Sequence, residues 1–146
     1  MNDTQFDQAV NEILMRERRF DPMAYYFLKE ALDYTVKRMA DAKRGKARHV
    51  TGPELMEGFR DHALEQFGPM ASTLMREWGV REAKHVGEMV FQLIDQRVFG
   101  KQESDRQEDF TDAMDLESAL CEPFIPRARK MRARSGSRRA NRPAKS

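Results

Sequence analysis

Residues 51–68 read TGPELMEGFRDHALEQFG, and this segment carries the signals for both ends of one helix. The hydroxyl of Thr51 can accept from a free amide of the first turn, and Glu54 can reach back to the Thr51 amide. Apolar residues recur along it at steps of four: Leu55, Phe59, Ala63 and Phe67. Gly68-Pro69 then breaks the pattern. The segment predicts an amphipathic helix with a defined start and end.

Two helices are predicted on the N-terminal side of this segment. An apolar stripe over residues 3–17 indicates the first helix. Asp21 followed by Pro22 is a strong start signal, because proline fits the first helical position and aspartate caps the free amides. The wide apolar face that follows predicts a long central helix to about Lys43.

On the C-terminal side, a short helix around Trp78 is predicted to close at Gly79, and a fifth helix to cover residues 82–97. Residues 98–112 contain a polar segment between short apolar runs, which predicts either a β-hairpin or a loop. A last helical turn is expected over 115–120. The pattern therefore predicts a mainly α, single-domain bundle of about five helices over residues 1–121, with a possible short hairpin.

Length and composition set limits on the class of protein. The chain has 146 residues, enough for one compact domain, and 40% of them are hydrophobic. The single cysteine, Cys121, excludes an internal disulfide and favours a reducing compartment. The sequence shows no signal-peptide pattern and no apolar run of transmembrane length. We expect a cytoplasmic protein without membrane contact.

The charge is unevenly distributed along the chain. Residues 127–146 hold nine of the 26 basic residues and none of the 24 acidic ones. The preceding residues therefore carry 17 bases against all 24 acids. A block of like charges interspersed with Gly, Ser, Pro and Ala cannot bury enough apolar surface to order itself. Residues 122–146 are accordingly predicted to form a disordered, Arg-rich tail.

The tail predicts binding to a polyanion. Its basic residues are Arg127, Arg129, Lys130, Arg132, Arg134, Arg138, Arg139, Arg142 and Lys145. Seven of the nine are arginine, whose planar fork matches phosphate and stacks on bases, so nucleic acid is the expected partner. RNA is favoured, either ribosomal RNA or another structured RNA. No aromatic residue occurs from Arg127 onward, which disfavours sequence-selective stacking on bases.

Other roles remain open at this stage. The tail could instead keep the protein soluble or fold back onto the acidic body. The acidic helical body could serve as a protein-interaction adaptor, with the tail incidental. The helix order also resembles a winged helix, but the acidic third helix would repel DNA. Acidic residues around the predicted hairpin are interpreted as a solvated loop rather than a docking surface.

Catalytic and metal-binding patterns are weak. His49, His62 and His85 are widely separated and form no HxxxH or HExxH motif. Carboxylates lie near His62 and His85 in sequence, yet solvated helix faces explain them equally well. We therefore expect no enzyme activity, no catalytic residue, no metal and no cofactor.

Several segments resemble an uncharacterised family of small bacterial proteins found among planctomycetes and verrucomicrobia. They are Phe20–Tyr34, Arg48–Leu55, Leu64–Met70, Gly87–Phe91 and Gly100–Phe110. The likeness covers roughly residues 4–121 and leaves the basic tail outside. It implies no activity, cofactor or catalytic residue, because none is known for that family.

Overall fold

The computed structural model describes residues 3–42, 50–99 and 108–124. Its helices are α1 (Asp3–Arg16), α2 (Pro22–Ala42), α3 (Gly52–Phe67), α4 (Ala71–Glu77), α5 (Ala83–Asp95), α6 (Glu108–Thr111) and α7 (Leu116–Cys121). Single 3-10 turns cover Gly68–Met70 and Glu122–Phe124. No strand occurs in these three described ranges. The mainly α class is confirmed, and the five predicted helices correspond to α1 through α5.

Local side-chain bonds set the helix starts that the sequence predicted. The Glu54 amide donates to the Thr51 hydroxyl at 3.3 Å, and the Thr51 amide donates to the Glu54 carboxylate at 3.0 Å. At the start of α2, the carboxylate of Asp21 accepts from the Met23 amide at 2.8 Å. Each bond satisfies an amide that would otherwise lack a partner within its helix.

Glycines in the left-handed backbone region end α3 and α4. Gly68 has a φ of 54°, and its amide donates to the carbonyl of Leu64. Gly79 has a φ of 90°, and a Cβ at that position would lie 2.6 Å from the carbonyl oxygen of Arg19. Glycine is therefore required at position 79 both by the left-handed backbone conformation and by the close approach of the Arg19 carbonyl.

The hairpin predicted near residues 98–112 is not found in the described part of the chain. Residues 98–99 form no strand, Glu108–Thr111 is the helical turn α6, and residues 100–107 lie outside the described ranges. Phe110 explains the helical turn, because it is only 5% exposed and packs against Gly87 of α5. A Cβ on Gly87 would come within 2.9 Å of the Phe110 Cβ. Tertiary burial of Phe110 overrides its local β preference.

The hydrophobic core lies along the contact between α2 and α3, and α1 and α5 cover it. Its most deeply buried side chains include Tyr25 and Leu28 of α2 and Met56 and Phe59 of α3, each at most 1% exposed. The predicted stripe of α1 is confirmed by the burial of Phe6, Val10 and Ile13. Seven aromatic residues are buried in this core or packed against it: Tyr25, Tyr26, Phe27, Phe59, Phe67, Trp78 and Phe91.

Gly58 allows α3 to approach α2 closely. A Cβ at this position would lie 1.7 Å from the Thr35 hydroxyl oxygen and 2.9 Å from the Thr35 Cβ. Thr35 is itself 1% exposed, and its hydroxyl donates to the carbonyl of Ala31 at 2.7 Å. The missing side chain at Gly58 therefore sets the separation of the two central helices.

Candidate functional sites

The nine basic residues predicted to bind nucleic acid, from Arg127 to Lys145, all lie outside the described residues. The last described residue, Phe124, is 44% exposed and ends a 3-10 turn. The buried residues of the described chain end at Leu120. The core residues of the described chain thus all precede the basic segment in sequence.

The described surface carries an open groove between α1 and the end of α4, with a volume of about 700 Å³. We call it the α1–α4 groove. One wall comes from α1 and its C-terminal extension, with Leu14, Met15 and Arg18, and the other contains Glu77 and Trp78. Leu14 and Trp78 are half-buried, whereas Met15 is 77% exposed. Apolar side chains and charged groups of both signs are thus accessible in one concavity.

Backbone bonds fix the α4 wall of this groove. The Asp21 amide donates to the carbonyl of Trp78 at 3.0 Å, which holds the end of α4 against the segment before α2. The Val80 amide donates to the Met75 carbonyl at 2.8 Å and closes the helix through the left-handed Gly79. The groove is therefore built on hydrogen-bonded backbone, which fixes its shape.

A chain of polar contacts runs from Arg19, at the groove, into the protein. The Arg19 guanidinium pairs with Glu17 at 2.8 Å and with Glu88 at 2.6 Å. Glu17 also accepts from the side-chain amide of Gln92 at 2.9 Å. The Tyr25 hydroxyl donates to the Gln92 carbonyl oxygen at 2.6 Å and completes the chain. We call these five residues the Tyr25 network.

Burial keeps the Tyr25 phenol in the neutral form up to high pH. Burial raises the pKa of Tyr25 to about 12, and the nearby charge of Glu17 acts in the same direction. A neutral phenol can donate to Gln92, whereas a phenolate cannot. The arrangement fits a structural hydrogen-bond chain that ties the segment after α1 to α2 and α5.

His85 is used within the fold rather than presented to a ligand. Its Nδ1 accepts from the backbone amides of Arg81 at 3.0 Å and Glu82 at 3.1 Å, at the start of α5. Burial lowers the pKa of His85 below its ordinary value, and the neighbouring carboxylates of Glu88 and Glu82 do not overcome this effect. The ring therefore serves as a neutral cap, with Nδ1 committed to the backbone.

His62 lies in a different environment, between α2 and α3. It is 8% exposed and stacks on Phe27, with ring centroids 5.0 Å apart, and also lies 4.9 Å from the Tyr34 ring. Its Nε2 approaches a Glu30 carboxylate oxygen at 3.4 Å, while its buried Nδ1 has no hydrogen-bond partner among the described residues. His62 functions here mainly as an aromatic packing element.

The carboxylates near the two histidines do not converge on a metal site. Asp61 accepts instead from Arg38 at 2.7 Å and Arg60 at 2.8 Å. Within the three described ranges, no group of three His, Cys, Asp or Glu residues is placed to hold a metal ion. Cys121 is a free, partly buried thiol, and His49 lies outside the described residues.

The acidic residues flanking α6 have partly structural roles. Asp115 caps α7, accepting from the Ser118 amide at 3.3 Å and the Ser118 hydroxyl at 3.1 Å. Asp109 packs beside Gly52 at the start of α3. Glu103 and Asp105 lie outside the described residues. The described part of this acidic cluster therefore includes groups that serve the fold.

The sequence alone did not reveal the groove or the Tyr25 network. Tyr25 and Gln92 are 67 residues apart, and Gln92 and Glu17 are 75 apart, so no local spacing signals their contact. The signals that were present, Asp21-Pro22 and Gly79, marked helix ends. Those same residues turned out to shape the groove wall.

No family model, curated protein or solved structure matches the chain. Among the described residues, no helix has the length and apolar character needed to cross a membrane.

Proposed function

We propose that this chain is a non-enzymatic, cytoplasmic binding protein whose Arg-rich tail holds nucleic acid, RNA above all, through its phosphates. The observation that carries the proposal is the charge segregation, with nine bases and no acid in residues 127–146. We also propose that the body belongs to the uncharacterised bacterial family that it resembles, which adds no activity to this assignment.

The chemistry of the tail supports phosphate binding. Each phosphate that a basic side chain neutralises releases condensed counterions, which makes the affinity favourable at low salt and weaker at high salt. Arginine, which supplies seven of the nine charges, can contact phosphate through two parallel N–H groups. The rest of the chain has seven more acids than bases, so the tail is the part suited to a polyanion.

The first test removes the tail by ending the chain after Pro126. Binding of the full chain and of residues 1–126 to a fluorescent single-stranded RNA is compared by anisotropy. Truncation should abolish binding and leave the unfolding temperature nearly unchanged, because the buried residues of the described chain end at Leu120. The proposal is wrong if residues 1–126 bind RNA as tightly as the full chain does.

Matched variants separate the effect of the tail's charge on RNA binding from the effect of its arginine geometry. Replacing the nine bases with glutamine keeps the tail length and should abolish binding. Replacing the seven arginines with lysine keeps the charge and should weaken binding only partly. The logarithm of affinity should fall with the logarithm of salt by roughly 0.7 for each phosphate contacted. A flat salt response would instead favour the protein-interaction adaptor.

A further inference from the structure

Met15 presents a large apolar side chain at the surface of the single chain. It is 77% exposed, the largest exposed fraction among the large hydrophobic residues of the described surface. It also lies on a wall of the α1–α4 groove, beside the half-buried Leu14 and Trp78. Burying a methionine side chain is worth roughly 1.5–3 kcal/mol, so a partner that covers this site gains apolar contact.

The charges that line the groove are of both signs and come from different segments of the chain. Arg18 extends from the end of α1, and Glu77 is the last residue of α4. Neither forms a salt bridge with another described residue; the Arg18 Nε donates only to the carbonyl of Leu14 at 3.3 Å. Arg19 differs from them, since Glu17 and Glu88 already pair with it.

A surface of this kind is complementary to a second copy of itself. A two-fold axis brings the same patch of both copies together, so each contact pair must be present within one patch. The groove meets that requirement, because its lining contains the exposed Met15, the apolar side chains of Leu14 and Trp78, and the opposite charges of Arg18 and Glu77. A nucleic acid does not fit as well, because its phosphates would meet the carboxylates of Glu77 and Asp21.

We propose that the chain forms a two-fold symmetric homodimer through the α1–α4 groove. Met15 of each copy enters the groove of the other, and Arg18 of each copy faces Glu77 of the other. This inference does not depend on RNA binding. Where both hold, the dimer carries two basic tails, and their joint attachment to one RNA increases the avidity.

The test measures the mass of the full-length, nuclease-treated protein in solution by sedimentation velocity. The wild type should sediment as a species of twice the 17.1 kDa chain mass. Met15→Glu should raise the dimer dissociation constant at least about tenfold, as expected when a central apolar anchor is lost. Met70→Glu is the matched control, because Met70 is 56% exposed but does not line the groove. Its dimer should be unchanged.

A charge exchange tests the predicted pairing itself. Arg18→Glu and Glu77→Arg should each weaken the dimer, and the double variant should recover most of the loss because the pair reforms with reversed signs. Circular dichroism checks that each variant folds. The proposal is overturned if the wild type is monomeric at all concentrations, if Met70→Glu weakens the dimer equally, or if the double variant shows no recovery. Because no RNA is present, these outcomes are independent of the truncation test.

Discussion

The long helix α2 contacts α3 and α5 by different means. Toward α3, the contact is close and largely apolar, with Gly58 against Thr35 and His62 stacked on Phe27. Toward α5, Tyr25 is tied by hydrogen bonds to Gln92 and through it to Glu17. The α3 side therefore depends on shape and volume, whereas the α5 side depends on hydrogen bonding and protonation.

The largest expected effect is on the α3 side, at Gly58. Gly58→Ala should destabilise the protein by about 3 kcal/mol, because the new Cβ collides with Thr35 in a packed core. This loss opposes the gain of about 1 kcal/mol that alanine normally brings to a helix interior. Urea denaturation measures the difference. Glu57→Ala, at the exposed neighbouring position, should change stability by less than about 0.5 kcal/mol.

A second substitution tests the cause of that loss. Thr35→Ala in the Gly58→Ala background removes the hydroxyl oxygen that lies 1.7 Å from the added Cβ position. Part of the lost stability should therefore return. Equal stability of Gly58→Ala and the wild type would show that the two helices do not approach as closely as described.

On the α5 side, Tyr25→Phe should cost about 1–2 kcal/mol, because it leaves the Gln92 carbonyl oxygen without its donor. Thermal and urea unfolding measure this loss. Tyr26→Phe is the matched control: the Tyr26 hydroxyl donates to Asp7 at the exposed surface, so a smaller loss is expected. Equal losses in the two variants would contradict the importance assigned to the Tyr25 network.

High pH should further distinguish the α5 contact of α2 from its α3 contact. The pKa of Tyr25 is raised from 10.0 to about 12, so the unfolded chain loses this proton first as pH rises. The contribution of Tyr25 to the free energy of unfolding is therefore present below pH 10 and lost between about pH 10 and 12. The stability difference between the wild type and Tyr25→Phe should shrink across that window. A constant difference would argue against a raised pKa.

A smaller effect is expected at His85. His85→Ala should cost about 1 kcal/mol, because the amides of Arg81 and Glu82 lose their acceptor, and His85→Gln should recover part of it. Burial lowers the pKa of His85 from 6.5, so the folded state resists the protonated ring. Its contribution to stability should fall as pH drops through 6.5. Unfolding at pH 8 and pH 5.5, with His85→Gln as reference, measures this dependence.

The smallest effect is expected at His62. His62→Phe keeps an aromatic ring against Phe27 and Tyr34 and removes a buried nitrogen that has no hydrogen-bond partner among the described residues. The change in unfolding free energy should stay within about 1 kcal/mol. A large loss would show that His62 makes a polar contact essential to the fold, and the contrast with His85 would then fail.

Helix ends were predictable because they depend on neighbouring residues. Thr51 with Glu54 and Asp21 with Pro22 set their helix starts through bonds that span a few residues. The region around Phe110 was not predictable in the same way. Its helical turn depends on the space beside Gly87, more than twenty residues earlier in the chain. The local spacing of residues does not indicate that contact.

The two candidate sites, the basic tail and the α1–α4 groove, differ in the same way. The basic tail is visible in the sequence as a run of charges, and no tertiary contact was needed to propose its partner. The groove required the structure, since Met15 and Trp78 line one concavity only because Asp21 and Gly79 hold the end of α4 against the segment before α2. Helical periodicity places Met15 opposite the buried stripe of Phe6, Val10 and Ile13, but it does not indicate the groove beside Met15.

The amino-acid sequence by itself determined the helical class, the approximate boundaries of α1 through α5 and the separation of acidic body from basic tail. These properties follow from short-range hydrogen bonds, apolar periodicity and the count of charges. The tertiary structure alone decided that α3 would touch α2 at Gly58, that Tyr25 would bond Gln92, and that a groove would form beside Met15. Those outcomes depend on which faces pack together, and packing is a property of the whole chain.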